Sequence, residues 1–445
     1  MKKRFLSIVF PSLLIGLFPG LVSAEIEKPN VILIMADDMG YECLSCNGSK
    51  SYRTPNLDRL AQEGIRFEHT YSQPLCTPSR VKIMTGKYNF RNYEEFGYLN
   101  PKEKTFGHVM QKAGYRTCIA GKWQLNGIYH GAQGNQDPTL PLKAGFHESC
   151  LWQVTQGKGK GERYADPLIE KNGKLLPKLK GEYGPQVFAD FICDFIRQNK
   201  DQPFFVYYPM VLTHDPFVAT PDSPEWNQPG RYTKNNVFFA DMVRYTDKIV
   251  GQIDQVLKDS GIRENTILMF TGDNGTHRSL SSDMKDGRSI TGGKGTTPNA
   301  GTHVPFIVSW PGHAPTGKVN RDLIDFSDFF STLSEIANAP TQASQSDGIS
   351  FLPQLKGEKG KPRDYMFCHY DPRWGNFTKQ RGRFARDQVY KLYMDGRMYH
   401  VPGDVLEKQQ LNPKDLNSAR ARERLKQVLN SMPAWNPPPP LPKKQ

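Results

Sequence analysis

Outside its first residues the chain has no long apolar stretch. The one exception spans residues 5–22 and falls short of the roughly 20 apolar residues that a membrane-spanning helix needs. It also contains prolines and glycines, which favour a cleaved segment over a membrane anchor. Lys2-Lys3-Arg4 before it and Val22-Ser23-Ala24 after it are typical of a secretory signal peptide over residues 1–24. We therefore expect a periplasmic or secreted protein without stable membrane insertion.

The sequence also lacks an internal repeat and any recognised nucleic-acid-binding motif. Lysine and arginine outnumber aspartate and glutamate by 58 to 45, which gives a net charge of +13 at pH 7. Loss of the three signal-peptide charges leaves about +10 (13 minus 3) on the mature chain. Such a charge favours an anionic partner. Because the chain carries an export signal, we expect an anionic polymer outside the cytoplasm and no nucleic acid.

Cysteine is scarce and odd in number, which excludes a fully paired disulfide framework. Cys43-x-x-Cys46 is compatible with a redox pair or with half of a zinc site. No second C-x-x-C completes such a zinc site, so a structural role is the simpler interpretation. Cys76 is the natural candidate for an unpaired residue. The seven cysteines are Cys43, Cys46, Cys76, Cys118, Cys150, Cys193 and Cys368.

Several apolar runs of strand length end in residues with functional side chains. Continuous apolar strands indicate a sheet covered on both faces. Ligands of open α/β sheets bind beyond the carboxyl ends of the strands, so we expect these ends to converge on one site. The runs and the residues after them are 31–36 with Asp37-Asp38, 117–120 with Gly121-Lys122, 204–212 with Thr213-His214, and 266–271 with Gly272-Asp273-Asn274.

Segments with helical spacing lie between these runs, and this alternation predicts an α/β fold with a large, mostly parallel sheet sandwiched by helices. The composition turns polar around residues 340–348, which suggests a domain boundary. We predict a main, site-bearing domain over residues 25–342. Residues 343–445 then form a smaller α+β subdomain with an antiparallel hairpin, a helix near residues 416–429 and a proline-rich tail.

The side chains of Asp37, Asp38, Asp273 and Asn274 offer oxygen atoms, which hard divalent cations take as ligands. Either pair alone is compatible with a solvated turn. Both pairs at the ends of buried strands point instead to a shared site, because neighbouring carboxylates repel unless a cation lies among them. The sequence therefore predicts a metal site, with Ca²⁺ favoured and Mg²⁺ as the alternative.

Cys76 opens the segment Cys76-Thr77-Pro78-Ser79-Arg80, in which Thr-Pro is typical of a helix start. A residue at a helix N-terminus meets free N–H groups that favour anions. Arg80 in the first turn suits anion recognition or the steadying of residue 76. A plain thiolate nucleophile is the competing interpretation, and it requires a nearby histidine as base.

These segments together resemble the formylglycine-dependent sulfatases of the alkaline-phosphatase superfamily, from about Lys28 to Pro311. The C-x-P-S-R pattern at Cys76 marks a cysteine for oxidation to formylglycine in that family. The resemblance implies an alkaline-phosphatase-like fold with a large mixed sheet. The other segments that carry it are Asn30–Gly40, Gly121–Leu125, Thr271–Gly275, Gly292–Thr297 and Val304–Gly312.

The resemblance also implies roles for single residues. Asp37, Asp38, Asp273 and Asn274 are expected to bind the metal together with one oxygen of residue 76. Arg80, Lys122, His214 and Lys294 are expected to surround the sulfate or the formylglycine. Elementary chemistry agrees, because lysine ammonium groups stabilise sulfate oxygens and a histidine can protonate a leaving alkoxide.

The mechanism implied by the resemblance is covalent and depends on a modified Cys76. A formylglycine-generating or maturase enzyme would be a partner of the chain. The aldehyde of residue 76 hydrates to a geminal diol, and one hydroxyl attacks sulfur and expels the alcohol. The remaining hydroxyl then drives out sulfate and restores the aldehyde.

Gln124 departs from the family pattern, which usually has histidine in the run G-K-W-H-L. A glutamine can hydrogen-bond the diol but cannot act as a base at neutral pH. Either another group serves, or water does, or turnover is slow. His130, His277 and His303 are the candidate substitutes.

These residues do not identify the substrate. Export and positive charge favour a sulfated polysaccharide or oligosaccharide, and the candidate substrate contacts are His277, His303, His369, Arg373 and Trp374. Segments 88–98 and 152–163 are further candidate pocket elements. Two other functions stay open: a phosphate or phosphonate ester hydrolase, since the fold hosts both, and a catalytically impaired sulfoglycan-binding protein, which Gln124 motivates.

Overall fold

The computed structural model describes residues 28–132, 134–156, 162–339 and 345–434. The signal peptide predicted over residues 1–24, the boundary predicted between residues 342 and 343, and the proline run at residues 437–440 lie outside these ranges. Within them, no helix combines the length and the apolar character that a membrane span requires.

The described ranges contain strands and helices that we number in chain order. The strands are β1 (Asn30–Ala36), β2 (Ile65–Tyr71), β3 (Arg116–Lys122), β4 (Glu148–Trp152), β5 (Ile169–Lys171), β6 (Lys174–Leu175), β7 (Phe204–Pro209), β8 (Thr266–Gly272), β9 (Ser281–Asp283), β10 (Ser289–Thr291), β11 (Phe306–Ser309), β12 (Lys318–Asp325), β13 (Met366–Tyr370), β14 (Gly382–Arg386), β15 (Tyr390–Tyr393) and β16 (Met398–His400). The helices are α1 (Pro55–Gln62), α2 (Cys76–Thr85), α3 (Asn89–Asn92), α4 (Phe106–Lys112), α5 (Leu140–Lys143), α6 (Gly184–Asn199), α7 (Phe239–Asp259), α8 (Asn299–Thr302), α9 (Asp328–Ile336), α10 (Leu352–Leu355) and α11 (Leu416–Ser431).

The main sheet has the order β12-β2-β11-β8-β1-β7-β3-β4-β5-β6. Its central strands β8, β1, β7 and β3 run parallel to their neighbours in this group, and β11 is antiparallel to both β8 and β2. The mixed, mostly parallel sheet predicted from the sequence is therefore confirmed. Because parallel strands share one carboxyl edge, the residues that follow β1, β3, β7 and β8 meet there.

Helices cover both faces of this sheet, which explains why β1 is apolar along its whole length. Successive side chains of a strand point to opposite faces. Ile32 and Ile34 belong to a core with residues of α6 and α7, whereas Leu33 packs in a second core with residues of α2, α4 and α9. Every residue of β1 is buried.

A second, smaller sheet of β13, β14, β15 and β16 is antiparallel, and α11 packs on β14 and β15. β15 and β16, which flank Asp395-Gly396, form the antiparallel hairpin predicted for this part of the chain. This sheet does not stand apart from the main domain. Met366, Cys368 and Tyr370 of β13 share a hydrophobic core with Leu75 and Cys76, so the C-terminal part of the chain helps to enclose residue 76.

Candidate active site

The four predicted oxygen ligands lie together at the carboxyl edge of the main sheet. The backbone N–H of Asp38 donates to Asp273 Oδ1 at 3.0 Å, and Asn274 Nδ2 donates to Asp38 Oδ1 at 2.9 Å. Ligand atoms of Asp37, Cys76 and Asp273 all lie within 4.8 Å of one another. Two strand ends more than 230 residues apart in sequence thus form one cluster because β1 and β8 pair in register.

Three cations are interleaved with the three carboxylates. Lys122 Nζ donates to both oxygens of Asp37, at 2.8 and 3.1 Å. Arg80 Nε donates to Asp273 Oδ2 at 3.2 Å and Lys294 Nζ donates to Asp38 Oδ2. The residues are buried, and a buried ion pair persists only when each charge has a partner.

This charge matching is incomplete at one point. Burial works against the charged form of Asp37, but Lys122, Arg80 and Lys294 hold its pKa below the ordinary value. For Asp273, burial and the neighbouring Asp37 carboxylate outweigh the opposing effect of Arg80 and raise the pKa to about 8. Asn274 Oδ1 is buried and has no hydrogen-bond partner among the described residues. Positive charge therefore compensates the Asp273 carboxylate only in part, and the Asn274 amide oxygen has no donor among the described residues.

These oxygens fit a divalent cation. The set consists of three carboxylates and an amide oxygen, the ligand type that Ca²⁺ and Mg²⁺ prefer. A divalent ion there would satisfy the orphaned Asn274 Oδ1 and favour the ionised form of Asp273.

Cys76 is the first residue of α2, as the Thr-Pro pattern predicts. Leu75 before it is extended, and all ten residues of the helix are buried. Burial raises the pKa of the Cys76 thiol, so the surroundings disfavour a plain thiolate. The side chain of residue 76 is better suited to a neutral group beside the acidic cluster than to a free thiolate nucleophile.

His214 follows β7 and is neutral in this environment. Lys294 Nζ lies 2.9 Å from Nε2, and Nδ1 lies 2.6 Å from the Asp215 carbonyl oxygen, so Nε2 accepts and Nδ1–H donates. Burial and the charges of Lys294, Arg163 and Lys122 push the pKa of His214 well below its ordinary value.

Gln124 lies just beyond β3, at the same edge. Its Nε2 donates to the Tyr129 hydroxyl at 2.6 Å, and Gln153 Nε2 donates to the same oxygen at 2.6 Å. Tyr129 was not among the residues predicted for the site, whereas Gln153 belongs to segment 152–163, which was a candidate pocket element.

A cleft of about 240 Å³ opens over these groups. Cys76, Gln124, His214 and Lys294 line its polar end. Its opposite wall is aromatic: Trp374 stacks on Phe96 at 4.3 Å between ring centroids. The remaining lining residues are Leu75, Tyr129, Arg163, Asp215, His277, Arg278 and Phe377.

Arg163 and Arg278 add positive charge that the residue-by-residue sequence assignment missed. The Arg163 guanidinium lies over the Trp152 ring at 4.1 Å, and its Nη1 is buried without a hydrogen-bond partner among the described residues. Arg278 lies over the Phe377 ring at 5.2 Å. Segment 152–163 pointed to the first arginine, whereas nothing in the local pattern singled out the second.

Of the candidate substrate contacts, His277 and Trp374 line this cleft and three others are directed elsewhere. Arg383 Nε donates to His369 Nδ1 at 2.8 Å, and Arg373 Nη1 donates to the Glu94 carbonyl oxygen at 2.7 Å. His303 lies in another cleft. His130, one of the candidate substitutes for the missing histidine, places Nε2 3.0 Å from the Phe96 carbonyl oxygen.

The second cleft, of about 360 Å³, holds His303 among arginines, acidic residues and tyrosines. The His303 ring stacks on Tyr41 at 4.1 Å, and its Nε2–H donates to the Glu68 carbonyl oxygen at 2.8 Å. Burial, together with Arg386 and His69, lowers its pKa to about 3 despite that hydrogen bond. His303 therefore has the contacts of a neutral, packed side chain.

All seven cysteines lie within the described residues and all are free thiols. Cys43 contacts Thr276 Oγ1 at 3.2 Å, and burial raises the pKa of both Cys43 and Cys46. The C-x-x-C segment thus forms neither a disulfide nor a low-pKa redox thiol here.

Known proteins resemble this chain over most of its length. The family model described as Sulfatase matches residues 29–339. Human arylsulfatase A is 33% identical over 409 residues, which cover 84% of this chain and 77% of the relative. Human N-acetylgalactosamine-6-sulfatase is 33% identical over 376 residues, which cover 77% of this chain and 68% of the relative. The crystal structure of Ps i-CgsB in complex with k-i-k-neocarrahexaose has a TM-score of 0.72 and 26% identity, and it covers 93% of this chain and 95% of that one.

Proposed function

The chain belongs to the sulfatase family, and from this premise we propose that it hydrolyses a sulfate ester on a sulfated oligosaccharide or polysaccharide. The nucleophile is a formylglycine formed from Cys76, and Asp37, Asp38, Asp273 and Asn274 hold a divalent metal ion. The protein acts in the periplasm or as a secreted enzyme, over a catalytic domain of residues 25–342 and a C-terminal subdomain of residues 343–445.

Three observations support the modified nucleophile. Cys76 lies in the C-x-P-S-R context, opens a buried helix, and places Sγ within 4.8 Å of carboxylate oxygens of Asp37 and Asp273. A thiolate beside two carboxylates is repelled by them. A neutral hydrate carries hydroxyl groups that can donate to the same oxygens.

The metal proposal rests on the orphaned Asn274 Oδ1 and on the raised pKa of Asp273. When bound, a divalent cation would polarise the sulfate ester and stabilise negative charge at its oxygens. Ca²⁺ is favoured and Mg²⁺ is the alternative.

The other residues of the polar end bind the sulfate, stabilise its negative charge and supply a proton. Lys122 and Lys294 would each stabilise charge that develops on sulfate oxygens. Arg80 donates from Nε to Asp273 Oδ2 and from Nη1 to the Lys122 carbonyl oxygen at 3.0 Å, and so fixes the positions of both groups. The Lys294 ammonium and His214 share one hydrogen bond, so a proton for the leaving alkoxide would come from this pair.

In the covalent step, one hydroxyl oxygen of the residue 76 hydrate attacks sulfur while the bond from sulfur to the ester oxygen breaks. The alcohol leaves with a proton. The second hydroxyl then loses its proton, its oxygen re-forms the aldehyde C=O bond, and the carbon–oxygen bond to the sulfate breaks, which releases sulfate. The cycle therefore consumes one water, in the rehydration of the aldehyde.

The shape and charge of the cleft support a carbohydrate substrate. The stacked rings of Phe96 and Trp374 form an apolar face of the kind that packs against a sugar ring. Arg163 and Arg278 place two further cations beside the sulfate-binding lysines, which suits a substrate with more than one anionic group. One relative is named an N-acetylgalactosamine-6-sulfatase and one neighbour was solved with a neocarrahexaose, which agrees with this substrate class.

The observation that carries the proposal is the convergence of residue 76, the acidic cluster and both lysines at the carboxyl edge of the main sheet, next to a cleft that residue 76 and Lys294 line. The test is an assay of protein co-expressed with a formylglycine-generating enzyme, with conversion of residue 76 verified by mass spectrometry. We expect metal-dependent release of sulfate from at least one member of a panel of sulfated oligosaccharides.

Two outcomes would replace the proposal by its rivals. Faster hydrolysis of phosphate or phosphonate monoesters than of every sulfate ester would identify a phosphoesterase. Tight binding of sulfated glycans without any release of sulfate would identify a glycan-binding protein with an impaired site.

A further inference from the structure

Gln124 and Gln153 follow two neighbouring strands of the main sheet. β3 and β4 pair in parallel, with Lys122 opposite Trp152, and the Gln124 N–H donates to the Gln153 carbonyl oxygen at 3.1 Å. Both glutamines have positive φ, 53° and 60° respectively. Such a conformation is unfavourable for a residue with a Cβ and persists where the surroundings impose it, commonly at functional sites.

Both side-chain amides are tied to one phenol. Gln124 Nε2 and Gln153 Nε2 each donate to the Tyr129 hydroxyl oxygen at 2.6 Å. Tyr129 itself is held by the aromatic wall, with its ring 5.2 Å from that of Trp374 and 6.0 Å from that of Phe96. The orientation of each amide is therefore set, because its nitrogen end is committed to Tyr129.

The oxygen ends of the same amides are left as acceptors. Gln124 Oε1 and Gln153 Oε1 are both buried and have no hydrogen-bond partner among the described residues. A buried polar atom without a partner is costly, so native sites supply one. Gln124 lines the cleft next to residue 76, and Gln153 does not, so a donor from the cleft would reach Gln124.

We propose that Tyr129 and Gln153 are positioning residues that fix the Gln124 amide with its oxygen toward residue 76. Gln124 Oε1 then accepts a hydrogen bond from a hydroxyl of the residue 76 hydrate. This inference rests on the proposed function. It assigns to Gln124 an orienting role at the position where the sulfatase pattern has a histidine. The amide accepts a hydrogen bond there and does not act as a base.

The test compares Tyr129→Phe with Tyr98→Phe. Tyr98 ends segment 88–98, a candidate pocket element of which Phe96 lines the cleft and Tyr98 does not; it pairs with the backbone of Asn126. In converted protein we expect Tyr129→Phe to lower kcat about tenfold with KM changed less than about twofold, because a hydrogen bond that orients the nucleophile is lost. Tyr98→Phe should keep both parameters of the wild type.

A hydroxyl donor could come from the substrate instead of from residue 76, and two substrates separate these sources. A 4-methylumbelliferyl sulfate has no free hydroxyl, whereas a sulfated sugar has several. We expect the same relative loss of kcat in Tyr129→Phe with both. A loss confined to the sugar would overturn the assignment to residue 76.

A measurement without turnover tests the same point. An acceptor that stabilises the hydrate lowers the fraction of free aldehyde, so a small aminooxy probe should label residue 76 at least about threefold faster in Tyr129→Phe than in the wild type. Unchanged labelling would overturn the proposal, even if kcat fell, since that pattern indicates a general structural effect.

The glutamine variants extend the comparison. Gln124→Ala should label as fast as Tyr129→Phe, and Gln153→Ala should lie between these variants and the wild type. Absence of sulfate release by the converted wild type would count against the proposed function, whereas the labelling rates would still decide whether Gln124 orients the hydrate.

Discussion

Two clefts of this protein are lined by similar kinds of side chain, and they differ in how those side chains are connected. The cleft at residue 76 and the cleft at His303 both contain histidine, arginine, carboxylates and aromatic rings. At His303, Nε2–H donates to a backbone carbonyl and Nδ1 lies 3.4 Å from Asn299 Nδ2. At residue 76, buried acceptors of Asn274 and Gln124 have no partner among the described residues.

The difference shows that composition is a poor guide to function at a cleft. Where buried polar groups are satisfied within the chain, the site is complete as folded and its groups contribute to stability. Where charges are crowded and buried acceptors have no partner in the protein, we expect a bound ligand to supply the missing interactions. Changes in the first cleft should therefore affect activity, and changes in the second should affect stability.

The largest effect is expected for Cys76→Ala. Without the nucleophile, sulfate release should fall by roughly 10⁴-fold or more, since binding and charge stabilisation alone remain. Because the substitution only shortens a buried side chain, circular dichroism should show the same fold. His303→Gln serves as the control from the other cleft and should retain sulfate release. Comparable hydrolysis by Cys76→Ala would remove residue 76 from the mechanism.

The next effect is expected for Asp273→Asn. Loss of one carboxylate should weaken divalent-metal binding and lower activity, both about 10- to 1000-fold, because the cluster loses a charged ligand and Arg80 loses its nearest carboxylate. Calorimetric titration of metal-stripped protein with Ca²⁺ measures the first quantity. The control is Asp286→Asn, an exposed carboxylate of the second cleft, which should bind Ca²⁺ as the wild type does. Equal affinity in Asp273→Asn would exclude this carboxylate as a ligand.

A smaller effect is expected for Trp374→Ala at the aromatic wall. Loss of the stacked face should raise KM for a sulfated oligosaccharide about 3- to 10-fold and leave kcat nearly unchanged, in keeping with about 1 kcal/mol for an aromatic contact. Steady-state kinetics on a sulfated oligosaccharide measures both parameters. Tyr41→Phe, in the second cleft, should leave KM unaltered. A dominant loss of kcat would instead place Trp374 in the chemical step.

The smallest effect on activity, and the sharpest contrast in stability, is expected for His303→Gln. The folded pKa is about 3 and the unfolded value is about 6.5, so the unfolded chain binds more protons between these values. His303 thus contributes stability fully above pH 6.5, and this contribution is lost as pH falls toward 3. Urea unfolding at pH 7 and pH 5 gives the free energy of unfolding at each pH. Its decrease from pH 7 to pH 5 should be about 2 kcal/mol smaller in the variant than in the wild type. Identical pH slopes would mean that His303 does not titrate on unfolding.

Much of the site could be predicted because its residues directly follow strong local patterns. The apolar runs before Asp37 and Asp273 are typical of buried strands, and Thr-Pro after Cys76 is typical of a helix start. The positions of the histidines were harder to predict from the sequence, since His277 and His303 both lie in irregular segments. Which of them faces a given cleft depends on the packing of distant loops, for which the local sequence carries no signal.

The amino-acid sequence by itself determined the chemical inventory: a cysteine in the C-x-P-S-R context, carboxylate and amide side chains after strands, and basic residues that suit an anion. Tertiary structure alone decided which groups meet. The order of β8, β1, β7 and β3 brings Asp273, Asp37, His214 and Lys122 to one edge. It also decided that Tyr129 receives both glutamine amides and that β13 closes around residue 76. The reason is physical: hydrogen bonds and ion pairs depend on separations of a few ångströms, and these are set by strand order and register rather than by neighbours along the chain.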